Sequence, residues 1–119
     1  MLTPYEIACT AVKALDDKKG ADITVLKTEN VSVLADYFVI CTANSPSHGK
    51  TLVEEADRLL SEAGEPPLRR EGYRSGGWVL LDVGCVIIHV FSQELRDFYA
   101  LERLWSDAEI IDPQTMLNN

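Results

Sequence analysis

Two adjacent apolar runs, at residues 78–83 and 86–91, constrain the fold of this chain more than any other feature. Both runs are rich in Val, Ile and Leu, and only Gly84 and Cys85 separate them. This pattern is typical of two strands joined by a tight turn. If Gly84 takes the first central position of a type II′ turn, it supplies the positive φ that this turn requires. We therefore expect an antiparallel β-hairpin.

The position of the turn also predicts the register of the hairpin, because strand side chains alternate between the two faces of a sheet. One face is expected to be wholly aliphatic and to lie in the core; it pairs Val83 with Val86, Leu81 with Ile88, and Val79 with Val90. The other face is expected to be mixed; it pairs Trp78 with Phe91, Leu80 with His89, and Asp82 with Ile87. The mixed face is where a function could lie.

The first half of the chain predicts two helices and two strands. Thr3, Pro4 and Glu6 form the pattern of a capping box, and the helix they open should end near Gly20. Strands are expected at residues 23–26 and 37–43, and the continuous apolar run of the second favours a central position in a sheet. Residues 32–36 favour a turn before it. Residues 44–47 offer caps for a long amphipathic helix that Gly64 should end.

The remaining elements are an edge strand at residues 68–71, a polar loop at 73–77, the hairpin, and a helix that Ser92 caps. This order predicts an α+β fold, with a small mixed sheet of about five strands packed against helices. One domain is expected over residues 1–106, because 119 residues suit a single core. The apolar pattern dissolves after Trp105, so residues 107–119 are expected to form a C-terminal tail that is frayed over residues 112–119.

The charge of the chain narrows the classes of partner. A formal net charge of -8 argues against non-specific nucleic-acid binding, which uses a basic surface. Sequence-specific nucleic-acid binding is not expected either. An acidic protein that acts near RNA would dock more readily on a basic protein there. Neither a signal-peptide pattern nor an apolar run of membrane-spanning length is present in the sequence, so a cytoplasmic location without membrane contact is expected.

The cysteines favour a reduced, metal-free protein. Cys9, Cys41 and Cys85 are scattered and show no C-x-x-C spacing. A zinc site made by Cys41, His48, Cys85 and His89 would be the alternative, but ordinary core and turn positions explain these residues better. We predict neither a metal nor a cofactor.

Residues 44–51 (Asn-Ser-Pro-Ser-His-Gly-Lys-Thr) resemble a phosphate-binding loop, because they follow a strand, open a helix and end in Gly-Lys-Thr. Asn44 replaces the first glycine of that pattern, and Pro46 removes a backbone N–H that should cradle phosphate. Despite these two departures, the pattern leaves an alternative function open, namely a nucleotide-binding or nucleotidyl-transferring enzyme that uses this loop. An ordinary capped helix start is the simpler interpretation.

The mixed face of the hairpin allows three interpretations. Asp82 and His89 could form an acid–base pair, although they are not directly opposite and no nucleophile is evident beside them. The aromatic residues could simply be core. Alternatively, part of this face is an apolar docking patch, with Trp78 as the kind of anchor that dominates interface energies. Arg96, Tyr99, Glu102 and Trp105 allow the same choice between packing and contact.

Taken together, the motifs of this chain resemble those of the ribosomal silencing factor family, also called the Iojap family. The matching segments cover most of the chain: 36–42, 71–72, 78–82 with Gly84, 89–91, Arg96, 98–99, 101–102 and 104–105. The resemblance implies a nucleotidyltransferase-like fold without the carboxylate pair and Gly-Ser signature of active transferases. It also implies a binding module instead of an enzyme.

The same resemblance implies a function and a binding site. Members of the family bind the large ribosomal subunit through its protein number fourteen, obstruct joining of the small subunit, and repress translation when nutrients are scarce. Carried over to this chain, the partner-binding residues are Trp78, Leu80, Asp82 and Tyr99. Relatives often form homodimers, and the oligomeric state of this chain is left open. Cys85 departs from the family, in which Asp often follows the turn glycine.

Overall fold

The computed structural model describes residues 2–29, 35–72, 77–100, 103 and 107–118. Within them the chain forms six strands and four helices: α1 (Pro4–Asp17), β1 (Ala21–Lys27), β2 (Tyr37–Ala43), α2 (Pro46–Glu62), β3 (Arg69–Glu71), β4 (Trp78–Asp82), β5 (Val86–Ser92), α3 (Gln93–Tyr99), β6 (Glu109–Ile111) and α4 (Pro113–Leu117). Residues 32–34 of the predicted turn, residues 73–76 of the predicted loop, Glu102 and Trp105 lie outside the described residues.

The six strands form one mixed sheet in the order β3-β4-β5-β2-β1-β6. Strands β2 and β5 are parallel, and the other neighbouring pairs are antiparallel. The predicted α+β class is thus confirmed. The sheet has six strands where about five were expected, because β6 adds a strand next to β1. Strand β2 is central and all seven of its residues are buried, as its continuous apolar run predicted.

The β4–β5 hairpin has the predicted register. Its partners run from Trp78 opposite Phe91 to Asp82 opposite Ile87. Val83 N–H donates to the Val86 carbonyl at 2.9 Å, and Gly84 has a φ of 89°. The aliphatic face of the hairpin packs with α1 and α2 in the larger of two core clusters. Phe91 belongs to a smaller cluster on the opposite side of the sheet, and half-buried Trp78 and Ile87 pack against that cluster.

The two long helices begin as the sequence predicts. Thr3 and Glu6 form a capping box at the start of α1, and Ser45 accepts from the His48 N–H at the start of α2. Gly64, with a φ of 86°, follows the end of α2. In the turn after α1, Lys19 takes a positive φ (63°) and Gly20 does not. A Cβ on Gly20 would lie 3.1 Å from the Leu15 carbonyl, so that glycine permits a close approach.

The C-terminal segment is ordered over residues 107–118, so the expected frayed tail is wrong. Strand β6 pairs with β1, and α4 packs against α1. Asp112 caps α4 by accepting from the Gln114 N–H, and Pro113 takes the first helical position. Met116 is 0% exposed in the larger core cluster. The strand and helix are only three and five residues long, too short to produce a periodic pattern, so their stability comes from tertiary packing. None of the described helices could span a membrane.

The buried position of Met116 gives a test of this ordered segment. Met116→Ala should lower the free energy of unfolding by about 2–5 kcal/mol, because it leaves a cavity in the core. Thr115→Ala, at an exposed neighbouring position, is the matched control and should change it by less than about 0.5 kcal/mol. Urea unfolding measures both. Equal, negligible effects would show that residues 107–118 do not pack in solution.

Candidate docking surface

A surface groove of about 350 Å³ lies where β3 and β4 meet α3. We call it the β4–α3 groove; its lining residues are Glu71, Gly72, Trp78, Leu80, Leu95 and Tyr99. Three of the four predicted partner-binding residues, Trp78, Leu80 and Tyr99, therefore lie together. Trp78 and Leu80 are half-buried, and Tyr99 is 44% exposed. The groove is mostly apolar and open, which suits a side chain supplied by another protein.

Aromatic rings connect the groove to the core. The Trp78 ring lies 5.1 Å from the Phe91 ring, nearly parallel to it at 24°, and 4.7 Å from the Tyr99 ring at 46°. Phe91 is only 1% exposed, so the series runs from a buried ring to a surface ring. Stacked and tilted pairs at these distances are favourable beyond the area they bury. The indole is consequently supported from two sides.

A histidine holds the polar edge of the indole. Trp78 Nε1–H donates to His89 Nδ1 at 3.2 Å. The His89 ring is 4% exposed and lies parallel to the Phe91 ring, 5.8 Å away at 5°. Burial lowers the pKa of His89 to about 4, so the ring is neutral at pH 7. Because Nδ1 accepts, the ring proton is assigned to Nε2, for which the described residues offer no acceptor.

Helix α3 is anchored to the sheet by Arg96, which is buried. Its guanidinium donates to the Asp22 carbonyl (2.5 Å), to Thr42 Oγ1 (2.9 Å) and to Thr24 Oγ1 (2.8 Å). These contacts join α3 to β1 and β2, and they set the helix that carries Leu95 and Tyr99. The sequence left open whether Arg96 packs within the fold or contacts a partner. The structure shows that it packs within the fold.

Asp82, the fourth predicted partner-binding residue, does not line the β4–α3 groove. Its Oδ1 accepts from the Gly84 N–H at 2.8 Å, and its Oδ2 accepts from Arg69 Nε at 3.0 Å. Arg69 also contacts Glu71 at 3.2 Å. Asp82 thus stabilises the hairpin turn and links it to β3. It contributes negative charge near the groove, while its oxygens are already occupied by this chain.

Sequence reasoning missed three residues of the groove: Glu71, Gly72 and Leu95. Gly72 has a φ of 79°, and a Cβ there would lie 2.1 Å from the Trp78 carbonyl oxygen, so the backbone of β3 approaches that of β4 too closely for a side chain. Leu95 lies over Gly77, where a Cβ would come within 2.4 Å of Leu95 Cδ1. The sequence signal that could have indicated this close packing was the pair of glycines, Gly72 and Gly77, at the two ends of the predicted polar loop.

Residues 44–51 form an ordinary helix start in which their own side chains take up the backbone donors. The Asn44 N–H donates to His48 Nδ1 at 3.0 Å, and the His48 N–H donates to Ser45 Oγ at 3.1 Å. His48 Nε2 lies 2.8 Å from the Lys18 carbonyl. A phosphate would have to displace these contacts, which disfavours the phosphate-loop interpretation.

The other candidate chemistry is dispersed. Cys41 belongs to the core cluster beneath α1 and α2, whereas His89 faces the opposite side of the sheet. Asp82 is hydrogen-bonded to Gly84 and Arg69, and His89 is hydrogen-bonded to Trp78, so each carries a structural contact. Among the described residues no three His, Cys, Asp or Glu side chains gather as metal ligands would.

Comparison with known proteins identifies relatives along the whole chain. The family model described as "Ribosomal silencing factor during starvation" matches residues 2–119. The ribosomal silencing factor of Halalkalibacterium halodurans is 36% identical over 98% of this chain and 100% of its own length. The ribosomal silencing factor of Bacillus subtilis is 40% identical over 86% of each chain. A crystal structure of a Chromobacterium violaceum protein superposes with a TM-score of 0.86, at 37% identity over 88% of each chain.

The close approach at Gly72 can be tested against a matched glycine. Gly64 has a similar φ of 86° but has open space around it. Gly64→Ala should lower the free energy of unfolding by about 1 kcal/mol from backbone strain alone. Gly72→Ala adds the clash with the Trp78 carbonyl and should lower it by about 2–4 kcal/mol. Urea unfolding decides; equal losses would contradict the close approach.

Burial of neutral His89 predicts a loss of stability in acid. The folded-state pKa of about 4 lies below the ordinary value of about 6.5, so the unfolded chain binds this proton first as the pH falls. The contribution of neutral His89 to the free energy of unfolding is complete above pH 6.5. About 2 kcal/mol of it is lost by pH 5 and about 3 kcal/mol by pH 4. Urea unfolding at pH 7 and pH 5 measures the slope. His89→Phe should flatten it, and an unchanged slope would contradict this assignment.

Proposed function

This chain belongs to the ribosomal silencing factor family, and we propose that it binds the large ribosomal subunit and prevents the small subunit from joining. Translation would then be repressed when nutrients are limiting, in keeping with the family's description as a factor acting during starvation. The family is one of regulatory proteins, and this proposal requires no chemistry. The cytoplasmic location and a possible homodimer predicted from the sequence stay predictions.

The β4–α3 groove is the observation that supports this proposal most directly. It combines half-buried Trp78 and Leu80 with exposed Tyr99, and Phe98 beside Tyr99 is 76% exposed. Interface energy is concentrated in aromatic anchors with an apolar surround, and Trp and Tyr are over-represented among such anchors. Because the aromatic stack already holds Trp78 and Tyr99, little side-chain entropy is lost when a partner binds.

Charge favours a basic partner. The chain carries a formal net charge of -8, and the carboxylates of Glu71 and Asp82 lie on either side of Arg69 near the groove. One guanidinium cannot balance two carboxylates, so a basic surface is attracted there. We propose protein number fourteen of the large subunit as that partner, with Trp78, Leu80 and Tyr99 in contact and Asp82 acting through its charge.

The size of the chain explains how binding would prevent subunit joining. The Cα atoms extend 32 × 31 × 26 Å. Contacts between two subunits require their surfaces to approach within a few ångströms. A protein of these dimensions bound at the joining face would therefore hold the subunits apart by steric exclusion, with no active site involved.

Replacement of the aromatic anchor tests this proposal. Trp78→Ala should weaken co-sedimentation with isolated large subunits by at least about tenfold and restore subunit joining, because hot-spot truncations cost about 2 kcal/mol or more. Ile110→Ala is the matched control, since Ile110 is an apolar residue, 70% exposed, on the distant edge strand β6. It should leave binding unchanged. Circular dichroism confirms that both variants fold.

Three outcomes would contradict the proposal in different ways. A wild-type chain that does not co-sediment with large subunits would overturn the function. A folded Trp78→Ala variant that binds normally would remove the β4–α3 groove from the interface. Equal weakening by Trp78→Ala and Ile110→Ala would show that binding does not depend on the groove.

A further inference from the structure

We propose that His89 is a positioning residue for the docking surface: its Nδ1 accepts the indole N–H of Trp78 and holds that side chain in the orientation that forms the β4–α3 groove. This inference rests on the proposed function, because it assigns a role to a buried residue behind the binding site. His89 does not line the groove and would not touch the partner.

The geometry fixes the indole from two directions. Trp78 and His89 lie on adjacent strands, with Trp78 opposite Phe91 and His89 opposite Leu80. The Phe91 ring limits the tilt of the indole by stacking at 5.1 Å. A 180° turn about the Cβ–Cγ bond keeps the indole in nearly the same plane but moves Nε1 to the other edge of the ring, so stacking alone does not distinguish the two orientations. The hydrogen bond of 3.2 Å to His89 favours the one in which Nε1 faces Nδ1. Together the two contacts select one indole orientation.

The presence of a histidine at position 89 supports the view that its hydrogen bond orients the Trp78 side chain. His89 lies among apolar rings, with Phe38 at 5.2 Å and Phe91 at 5.8 Å. A phenylalanine would fill the same space and would leave no ring nitrogen without a partner, whereas Nε2 of His89 has none among the described residues. What the imidazole adds is the acceptor at Nδ1, and the residue that uses it is Trp78.

The functional consequence is preorganisation of the binding site. If the indole can rotate, only a fraction of molecules has the groove formed, and the apparent dissociation constant rises by the inverse of that fraction. The loss of one such hydrogen bond corresponds to a change of roughly threefold to tenfold. His89 should therefore influence affinity without altering any residue that contacts the partner.

The first experiment needs no ribosome. Long-range nitrogen NMR of the unmodified protein should show His89 Nδ1 as an unprotonated acceptor and Nε2 as protonated, and the Trp78 indole proton, assigned with Trp78→Phe, should show a scalar coupling to Nδ1. The opposite tautomer, or no coupling, would overturn the inference whatever the ribosome measurements give. The proposed function could still hold in that case.

The second experiment measures binding of three variants to isolated large subunits. His89→Phe keeps the ring and removes the acceptor, and it should weaken binding roughly threefold to tenfold. His89→Asn places an amide oxygen near the position of Nδ1 and should bind more tightly than His89→Phe. His89→Phe should have no further effect in a Trp78→Phe background, which lacks the indole N–H.

The outcomes separate the two proposals. Wild-type binding by a folded His89→Phe protein would overturn the positioning role, and so would equal binding by the Phe and Asn variants. If the unmodified chain does not bind large subunits, the proposed function fails while the NMR result still decides the hydrogen bond. If His89→Phe does not fold, the NMR measurement and the comparison of His89→Asn with the unmodified chain decide.

Discussion

The register of the β4–β5 hairpin determines which side chains of this protein can meet a partner. A turn of two residues leaves one pairing that puts the Val, Leu and Ile side chains on the α1–α2 side and the aromatic residues on the other. A slip by one residue would exchange the two sets, so that core burial and the groove would be lost together. Fold stability and the proposed docking surface therefore depend on the same local geometry.

Sequence reasoning succeeded where the signal is local. The hairpin register, the capping box at Thr3, the N-cap at Ser45 and the buried central strand β2 each follow from a few consecutive residues, and all are confirmed. It failed at β6 and α4, because elements of three and five residues are stabilised by contacts with β1 and α1 that no short pattern reveals. The resemblance to the ribosomal silencing factors is likewise confirmed.

The candidate site was only partly predictable for a different reason. Trp78 and Leu80 share a face by alternation alone, but Tyr99 joins them only because buried Arg96 fixes α3 on the sheet. Asp82 has the same alternation, yet the ion pair with Arg69 and the turn amide of Gly84 occupy its oxygens. Alternation indicates the direction of a side chain, whereas competing partners within the fold determine what it remains able to do.

The two edges of the sheet determine how readily another chain could add a strand to it. Both edge strands have only three residues, and β3 is wholly charged, with the sequence Arg-Arg-Glu. Short, charged edges are poor templates for strand addition by another chain. An apolar cleft beside an unprotected edge would invite self-association, since both features recruit unfolded or misfolded neighbours. Here the short, charged strand β3 lies beside the β4–α3 groove, so the edge next to that apolar surface disfavours strand addition by another chain.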